Sequence, residues 1–254
     1  MRRDENDAAA GMDALIATDK SSSRTARPPA PAGATTKRDP AGTRRRILDA
    51  GQSEFAERGY SGAHVGRIAA AAQCNIRMIY HYFGSKENLY LAVLDRAYDR
   101  IRAHERQLRV ETSEPLAGMR QFIEFTFDYL LENPELVALI RNENLLGARF
   151  LRNSQVVPQT TQPLIRSIED LLARGRAAGV FRCQTNAVQL YVSLLSLCFI
   201  HVSNRHTLTV MFQSDMADRD WLKERRGHVV QVMLAYVTSG PPVRQGSSPL
   251  APQF

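Results

Sequence analysis

Residues 59 to 91 read GYSGAHVGRIAAAAQCNIRMIYHYFGSKENLYL. Their spacing predicts two short helices around a tight turn, a glycine break, and the start of a third helix. Val65, Ile68, Ala69 and Ala72 recur at intervals of three and four, which places them on one inward stripe of a helix that starts near His64. That helix is short and rich in alanine, so another backbone can approach it closely. Gln73, Cys74 and Asn75 interrupt the stripe, and the next helix, Ile76 to Phe83, is too short and too aromatic to be stable alone.

Ile79 and Phe83 lie four apart and can face inward, which leaves Arg77, Tyr80, His81 and Tyr82 to project elsewhere. A helix exposing that much ring and positive charge is equipped for a groove. After Phe83, Gly84 permits a backbone break and Ser85 can cap the following helix. Lys86 then sits in the first turn beside Glu87, where free amides point outward. Amides and an ammonium together make a phosphate clamp.

The run Tyr80, Phe83, Lys86, Leu89 resembles the Tyr-x-x-Phe-x-x-Lys-x-x-Leu pattern in the DNA-binding segment of TetR-family transcriptional regulators. The resemblance extends back through Ala50, Phe55, Gly59 and Tyr60 and forward to Leu94, about fifty residues in all. It implies an all-α fold: an N-terminal three-helix helix-turn-helix domain, followed by a helical C-terminal domain for ligand sensing and for dimerisation through a four-helix interface. Two positions depart from the pattern. Gln73 stands where the turn usually carries Gly, and His64 where the helix usually opens with Ser or Thr. A non-Gly residue in a left-handed turn costs about 1 kcal/mol, and a lost hydroxyl cap roughly the same. Both changes bear on local stability and leave the groove-facing side chains in place.

Composition agrees with that reading. The chain has 254 residues, 44% of them apolar, enough for a sizeable core and for one or two domains. Its formal charge is +7, and residues 37 to 86 hold nine Lys or Arg against four Asp or Glu, so the basic excess sits where the motif is. Cys74, Cys183 and Cys198 lie far apart with no C-x-x-C and no second ligand at metal spacing; they read as reduced, buried thiols. No run of eighteen apolar residues occurs, and MRRDENDAAA carries acids where a signal peptide would carry its hydrophobic stretch, so a cytoplasmic protein with no membrane partner is expected.

Four segments are expected. Residues 1–40, rich in Ala, Pro, Ser and Thr, should be a disordered arm, either a dispensable extension or a basic arm whose Lys37 and Arg38 reach a minor groove. Residues 41–88 form the helix-turn-helix domain. Its first helix runs from a Thr43 cap through Ile47, Leu48, Gly51 and Phe55 to Gly59, with Arg44, Arg45 and Arg46 near its start. Three arginines there oppose the helix dipole, a conflict that a DNA phosphate would relieve. Residues 89–240 hold the sensing domain and 241–254 a flexible tail. Within the sensing domain the expected helices are Glu87 to about Leu108 with a Leu91, Leu94, Tyr98, Ile101 stripe and its charges opposite, Pro115 to Leu131, Pro134 to Leu151, Pro158 to Ala178, an apolar helix from Leu190 to Val202, and Trp221 to Val237. The last two are more apolar than one small domain needs, so part of their surface should be shared between subunits.

No nucleophile with a base, no paired carboxylates and no metal-ligand spacing is placed convincingly, so neither a catalytic site nor a metal or cofactor is expected. The expected function is a dimeric regulator, most simply a repressor, that binds a palindromic operator on double-stranded DNA and is released by a small-molecule effector. Arg77 and His81 are the base-reading candidates. Tyr80, Tyr82 and Lys86, with Arg44, Arg45, Arg46 and His64, are the candidates for the remaining DNA contacts. The resemblance also implies a mostly apolar effector pocket, with Phe125, Tyr129, Arg141, Glu143, Asn144 and His201 as candidate lining residues. Asn142 to Ser154, GVFR at 179–182 and SNRHTLT at 203–209 further resemble a subgroup of these regulators that governs catabolic operons for small ring compounds. Two alternatives remain at this point: a DNA-binding regulator with a filled core and no ligand, and a helical ligand-binding or acyl-transfer protein whose aromatic helix packs inside.

Overall fold

The computed structural model describes residues 39–239. The expected disordered arm, apart from its last two residues, and the expected flexible tail lie outside the described residues, as do Lys37 and Arg38. Among the described residues there are ten α-helices, one turn of 3-10 helix and no strand: α1 Pro40–Gly62, α2 Val65–Ala71, α3 Ile76–Phe83, α4 Lys86–Gln107, α5 Pro115–Glu132, α6 Pro134–Leu145, the 3-10 turn Leu151–Asn153, α7 Val156–Ala177, α8 Ala187–Ser203, α9 Arg205–Phe212 and α10 Arg219–Thr238. The fold is all-α.

The first helix starts earlier than its sequence suggests. Asp39 is the cap, its Oδ1 accepting the Gly42 N–H at 2.9 Å, and Pro40 occupies the first helical position, where a missing donor does no harm. Thr43 lies inside, donating its hydroxyl to the Asp39 carbonyl at 2.9 Å. Arg44, Arg45 and Arg46 therefore stand beyond the first turn, and the expected conflict with the helix dipole largely disappears, because that field fades within a turn. The break at Gly59 is real: its φ of 66° lies in the left-handed region that favours glycine.

Three of the later helices also differ. α6 stops at Leu145, because Gly147 and Ala148 take φ of 62° and 58° and turn the chain back. α7 begins before Pro158 and carries Pro163 inside. α9 was not anticipated; it ends where Gln213 enters the left-handed region at φ 50°. The inward face of α4 is wider than the expected stripe and includes Tyr90, Arg102 and Glu105; the last two are charges expected on the outside.

α1 packs on α6 and α4, α5 on α8 and α10, and α4 on α7. At the α1, α4 and α6 junction four rings interlock. Phe55 meets Tyr90 edge-on with centroids 4.8 Å apart, and Phe150 closes over Tyr60 at 4.4 Å and Tyr90 at 5.1 Å. Polar clasps surround this joint: Asn142 Nδ2 donates to the Phe55 carbonyl at 3.1 Å, and Gln52 and Ser53 donate to Glu135 at 2.6 and 2.7 Å.

Candidate nucleic-acid interface and ligand cavity

The turn between α2 and α3 is a Schellman ending. Gln73 holds φ 52°, its N–H donates to the Ala70 carbonyl at 3.1 Å, and the Cys74 N–H donates to the Ala69 carbonyl at 3.0 Å. Glycine is the usual residue at such a position. Replacing Gln73 by glycine is expected to raise the unfolding free energy by about 0.5 to 1 kcal/mol, since relief of a left-handed cost of roughly 1 to 2 kcal/mol outweighs glycine's extra chain freedom of about 0.5 to 1 kcal/mol. Urea melts at equal protein concentration check this; a less stable variant would mean that the Gln73 side chain makes a stabilising contact.

The missing hydroxyl cap of α2 is not replaced by another side chain on the first-turn amides, but the start of the helix is tied to α1. His64 makes no side-chain cap bond, but Glu54 on α1 accepts the His64 N–H at 2.9 Å and the Arg67 Nε–H at 2.8 Å. α3 has its own cap, Asn75, which accepts the Arg77 N–H at 2.9 Å, a role its position in the turn had concealed. Ser85 caps α4 by accepting the Asn88 N–H at 3.1 Å, after Gly84 breaks the chain at φ 76°.

With Ile79 and Phe83 buried, α3 turns Ile76, Arg77, Tyr80 and His81 to solvent, Tyr80 being 49% exposed. Tyr82 is only half-buried and packs against the core with its ring on His81, so its ring is not free in the way expected. Arg44 and Arg45 are exposed, the Arg44 guanidinium standing 5.3 Å from the Phe83 ring centre. Arg46 is committed within the fold: its Nε donates to the Ala72 carbonyl at the end of α2 and its Nη2 to Thr43 Oγ1 at 3.0 Å. Lys86 sits with Nζ 4.5 Å from the Tyr60 ring centre, at the start of α4. His64 is exposed beside α2. Arg77, Tyr80 and His81 are thus free on α3, Arg44 and Arg45 are exposed on α1, and Tyr82, Arg46 and Lys86 are partly held by contacts within the protein.

These features meet known proteins at one point. The family model described as bacterial regulatory proteins, tetR family, matches residues 47–93, and the one described as tetracyclin repressor-like, C-terminal domain, matches residues 115–233. The transcriptional repressor NicS of Pseudomonas putida is 34% identical over 184 residues, covering 71% of this chain and 87% of that protein. The chain belongs to the TetR family. It is a DNA-binding transcriptional regulator, and its fold is that of the ketosteroid regulator KstR2 of Mycobacterium tuberculosis (20% identity, 78% of this chain and 95% of that chain, TM-score 0.57) and of FadR of Bacillus subtilis solved with stearoyl-CoA (16% identity, 76% and 98%, TM-score 0.54).

In the helical body that follows the helix-turn-helix, α4, α5, α6 and α8 enclose a cavity of about 520 Å³ whose rim, at Asn144, Val192 and Ser196, is open to solvent; the volume is inside the range of about 300 to 1,000 Å³ usual for small-molecule sites. Of the six expected lining residues, only Asn144 borders it. Phe125 and Tyr129 border a separate hollow with Arg100 and His104. Arg141 is exposed on the surface. Glu143 is buried, its Oε1 accepting the Phe150 and Leu151 N–H groups at 2.7 and 2.8 Å, so its task is to hold the chain after α6. His201 stacks on Phe127 at 4.8 Å; burial, assisted by the Arg225 charge, pushes its pKa down to about 4, so it is a neutral core ring. Cys198 and Cys183 are buried, but Cys74 is half-exposed, contrary to the uniform burial expected.

The polar cavity residues that sequence reasoning missed are Tyr98, Arg102, Tyr191 and Ser196, beside the apolar ones. A signal existed for one of them. Arg102 lies four residues beyond Tyr98 and eight beyond Leu94, on the inward stripe of α4, where a charge without a buried partner would be costly. The partner is Glu105: Arg102 Nη1 lies 2.6 Å from its Oε2, and Arg102 Nη2 donates to the Tyr191 hydroxyl at 2.9 Å. Burial lifts the Glu105 carboxyl to about 7 against the opposing pull of Arg102.

Proposed function

We propose that this regulator acts in the cytoplasm as a homodimeric repressor, binding a palindromic operator through its two α3 helices and leaving it when a small molecule fills the α4, α5, α6, α8 cavity. The observation that carries this reading is the outward presentation of Arg77, Tyr80 and His81 on a helix whose other face is buried. It disfavours the rival in which the aromatic helix packs inside, and an open cavity of about 520 Å³ supplies a place for an effector. Supporting the dimer are apolar side chains left exposed on α8 and α10, namely Val188, Val192, Ile200, Val232 and Tyr236. Two α3 helices related by a two-fold axis would enter successive major grooves with half-sites roughly 34 to 36 Å apart.

Arg77 reads base edges in this proposal, since a guanidinium pairs bidentately with guanine, and Lys86 holds a phosphate. Arg77→Ala is expected to cost about 1 to 3 kcal/mol on the operator and to relax discrimination at one base position, whereas Lys86→Ala should weaken all duplexes and reduce the salt slope by about one. Fluorescence anisotropy with labelled fragments of the upstream region, over a salt series, separates the two; an equal loss on every sequence for Arg77→Ala refutes its assignment.

Coupling between cavity and reading head would run through two helices. α4 carries Tyr98 and Arg102 at the cavity and Lys86 at the other end. α6 carries Leu136, Ile140 and Asn144 at the cavity, while its Asn142 and Glu135 clasp α1. A ligand that shifts either helix changes the separation of the two reading heads, and it does so only by the difference in its affinity for the two states.

A further inference from the structure

We propose that a second copy of this chain closes the mouth of the cavity, so that each effector site is walled by both subunits. This rests on reading the cavity as the effector site and the exposed face of α8 and α10 as the dimer contact. It goes beyond that reading in making the site incomplete within one chain.

The cavity opens along α8. Val192 and Ser196 line it and are also exposed, and Asn144, on α6, is the exposed member of the rim that α8 does not supply. Val188, Val192, Ser196 and Ile200 recur at intervals of four, so they form one outward ridge of which the two rim residues are the middle members. Val188 and Val192 are each 52% exposed and Ile200 is 43% exposed, which leaves branched apolar side chains in water along the helix. From Ala187 to Ser203 there is no Asp, Glu, Lys or Arg, so this face carries no charge to meet bulk water. The face continues onto α10. The Arg182 N–H donates to the Val237 carbonyl at 2.8 Å, and Arg225 Nη2 donates to the Leu197 carbonyl at 3.0 Å. The two helices therefore run antiparallel, and the exposed Val232 and Tyr236 lie beside the half of α8 that holds Val188 and Val192.

An uncharged ridge with a small residue near its centre can pack on its own copy. Ser196 leaves a dip, Val192 and Ile200 flank it as knobs, and a two-fold axis sets the same ridge on both sides of the contact. A charged partner would find no opposite charge on α8 to meet. Burial of this ridge covers Val192 and Ser196, and with them the edge of the mouth. The wall that α8 leaves open is then supplied by the partner subunit, and a molecule held in the cavity touches both chains.

Single thiols at the mouth test this in the full chain. Cys74, the half-exposed native thiol, is first changed to Ser, while Cys183 and Cys198 are buried and stay. Ser196→Cys and Asn144→Cys are then made separately. Their reaction with dithiobis(nitrobenzoate) is timed over a dilution series whose monomer and dimer fractions are read by analytical ultracentrifugation. Each rate is referred to that of the same thiol in the urea-unfolded chain, so a dimer too tight to dilute apart still yields a protection factor. In the dimer both thiols are expected to react roughly tenfold or more slowly than in the monomer, because a covered group reacts only through opening or dissociation. Tyr236→Arg lies on α10, outside the cavity wall, and sets an unpaired charge in the shared face. It is expected to yield monomer in which both thiols react fast. A dimer whose Asn144→Cys thiol is unprotected overturns the proposal even where Ser196→Cys is slow, since the partner then covers α8 without spanning the mouth. Equal protection in monomer and dimer overturns it as well, because one chain would then close its own cavity. A chain that stays monomeric throughout sinks the dimer reading beneath the proposal. The unaltered α10 face decides between these outcomes whether or not Tyr236→Arg folds.

Discussion

Phe55→Ala is expected to lower the unfolding free energy by about 3 to 5 kcal/mol, the range for deleting a fully buried phenyl ring. Phe55 is 0% exposed and stands at the meeting of α1, α4 and α6, edge-on to Tyr90 and beneath the clasp of Asn142 on its own carbonyl. Its loss removes apolar burial and an aromatic pair, and it opens a void that the surrounding Tyr60, Tyr90 and Phe150 can fill only by leaving their present rotamers. For a body of this size the melting temperature should fall on the order of 10 °C. Because association shifts apparent stability, both proteins must be melted at one concentration. A drop under about 1 kcal/mol would show that the joint between α1, α4 and α6 is loosely packed, well short of interior density.

Glu143→Ala should destabilise by about 2 to 4 kcal/mol, for a different reason. One carboxylate oxygen accepts two backbone N–H groups, those of Phe150 and Leu151, and alanine leaves both donors without a partner, the first of them buried. The other oxygen has no partner, so deleting the charge returns part of the cost. Phe150 is then held to Tyr60 and Tyr90 by ring contacts alone. Glu143→Gln keeps an acceptor oxygen in place and is expected to recover part of the loss. Amide hydrogen exchange at Phe150 and Leu151 gives the local reading. Unchanged protection in the alanine variant would contradict the assignment of Glu143 as the clamp on this turn.

The DNA-binding half was legible because its physics is local. Caps, a left-handed turn, a glycine break and a four-residue apolar interval each act within one turn of helix, and α3 and α4 begin and end within a residue of where those signals put them. Where local signals competed, the nearer hydroxyl was the wrong choice: Thr43 has the residue type of a cap, but Asp39 followed by Pro40 is the stronger pair. The cavity was not legible on the same terms. Its walls come from four helices spread between Tyr98 and Phe199, and no window of sequence contains their convergence. Glu143 and His201 looked like pocket groups because each is polar within an apolar run. The fold uses the first to hold a turn and the second as a neutral ring stacked on Phe127.

The sequence by itself determined the helical class, the turn between α2 and α3, and the set of side chains that α3 cannot bury, since backbone propensity and helical period act through neighbours along the chain. Only the tertiary structure decided that Arg46 closes the end of α2, that Arg102 and Glu105 face inward as a pair, and that α6 touches the cavity on one side and α1 on the other. Those outcomes depend on which distant groups arrive beside one another, and a buried charge takes its role from the partner that packing brings to it.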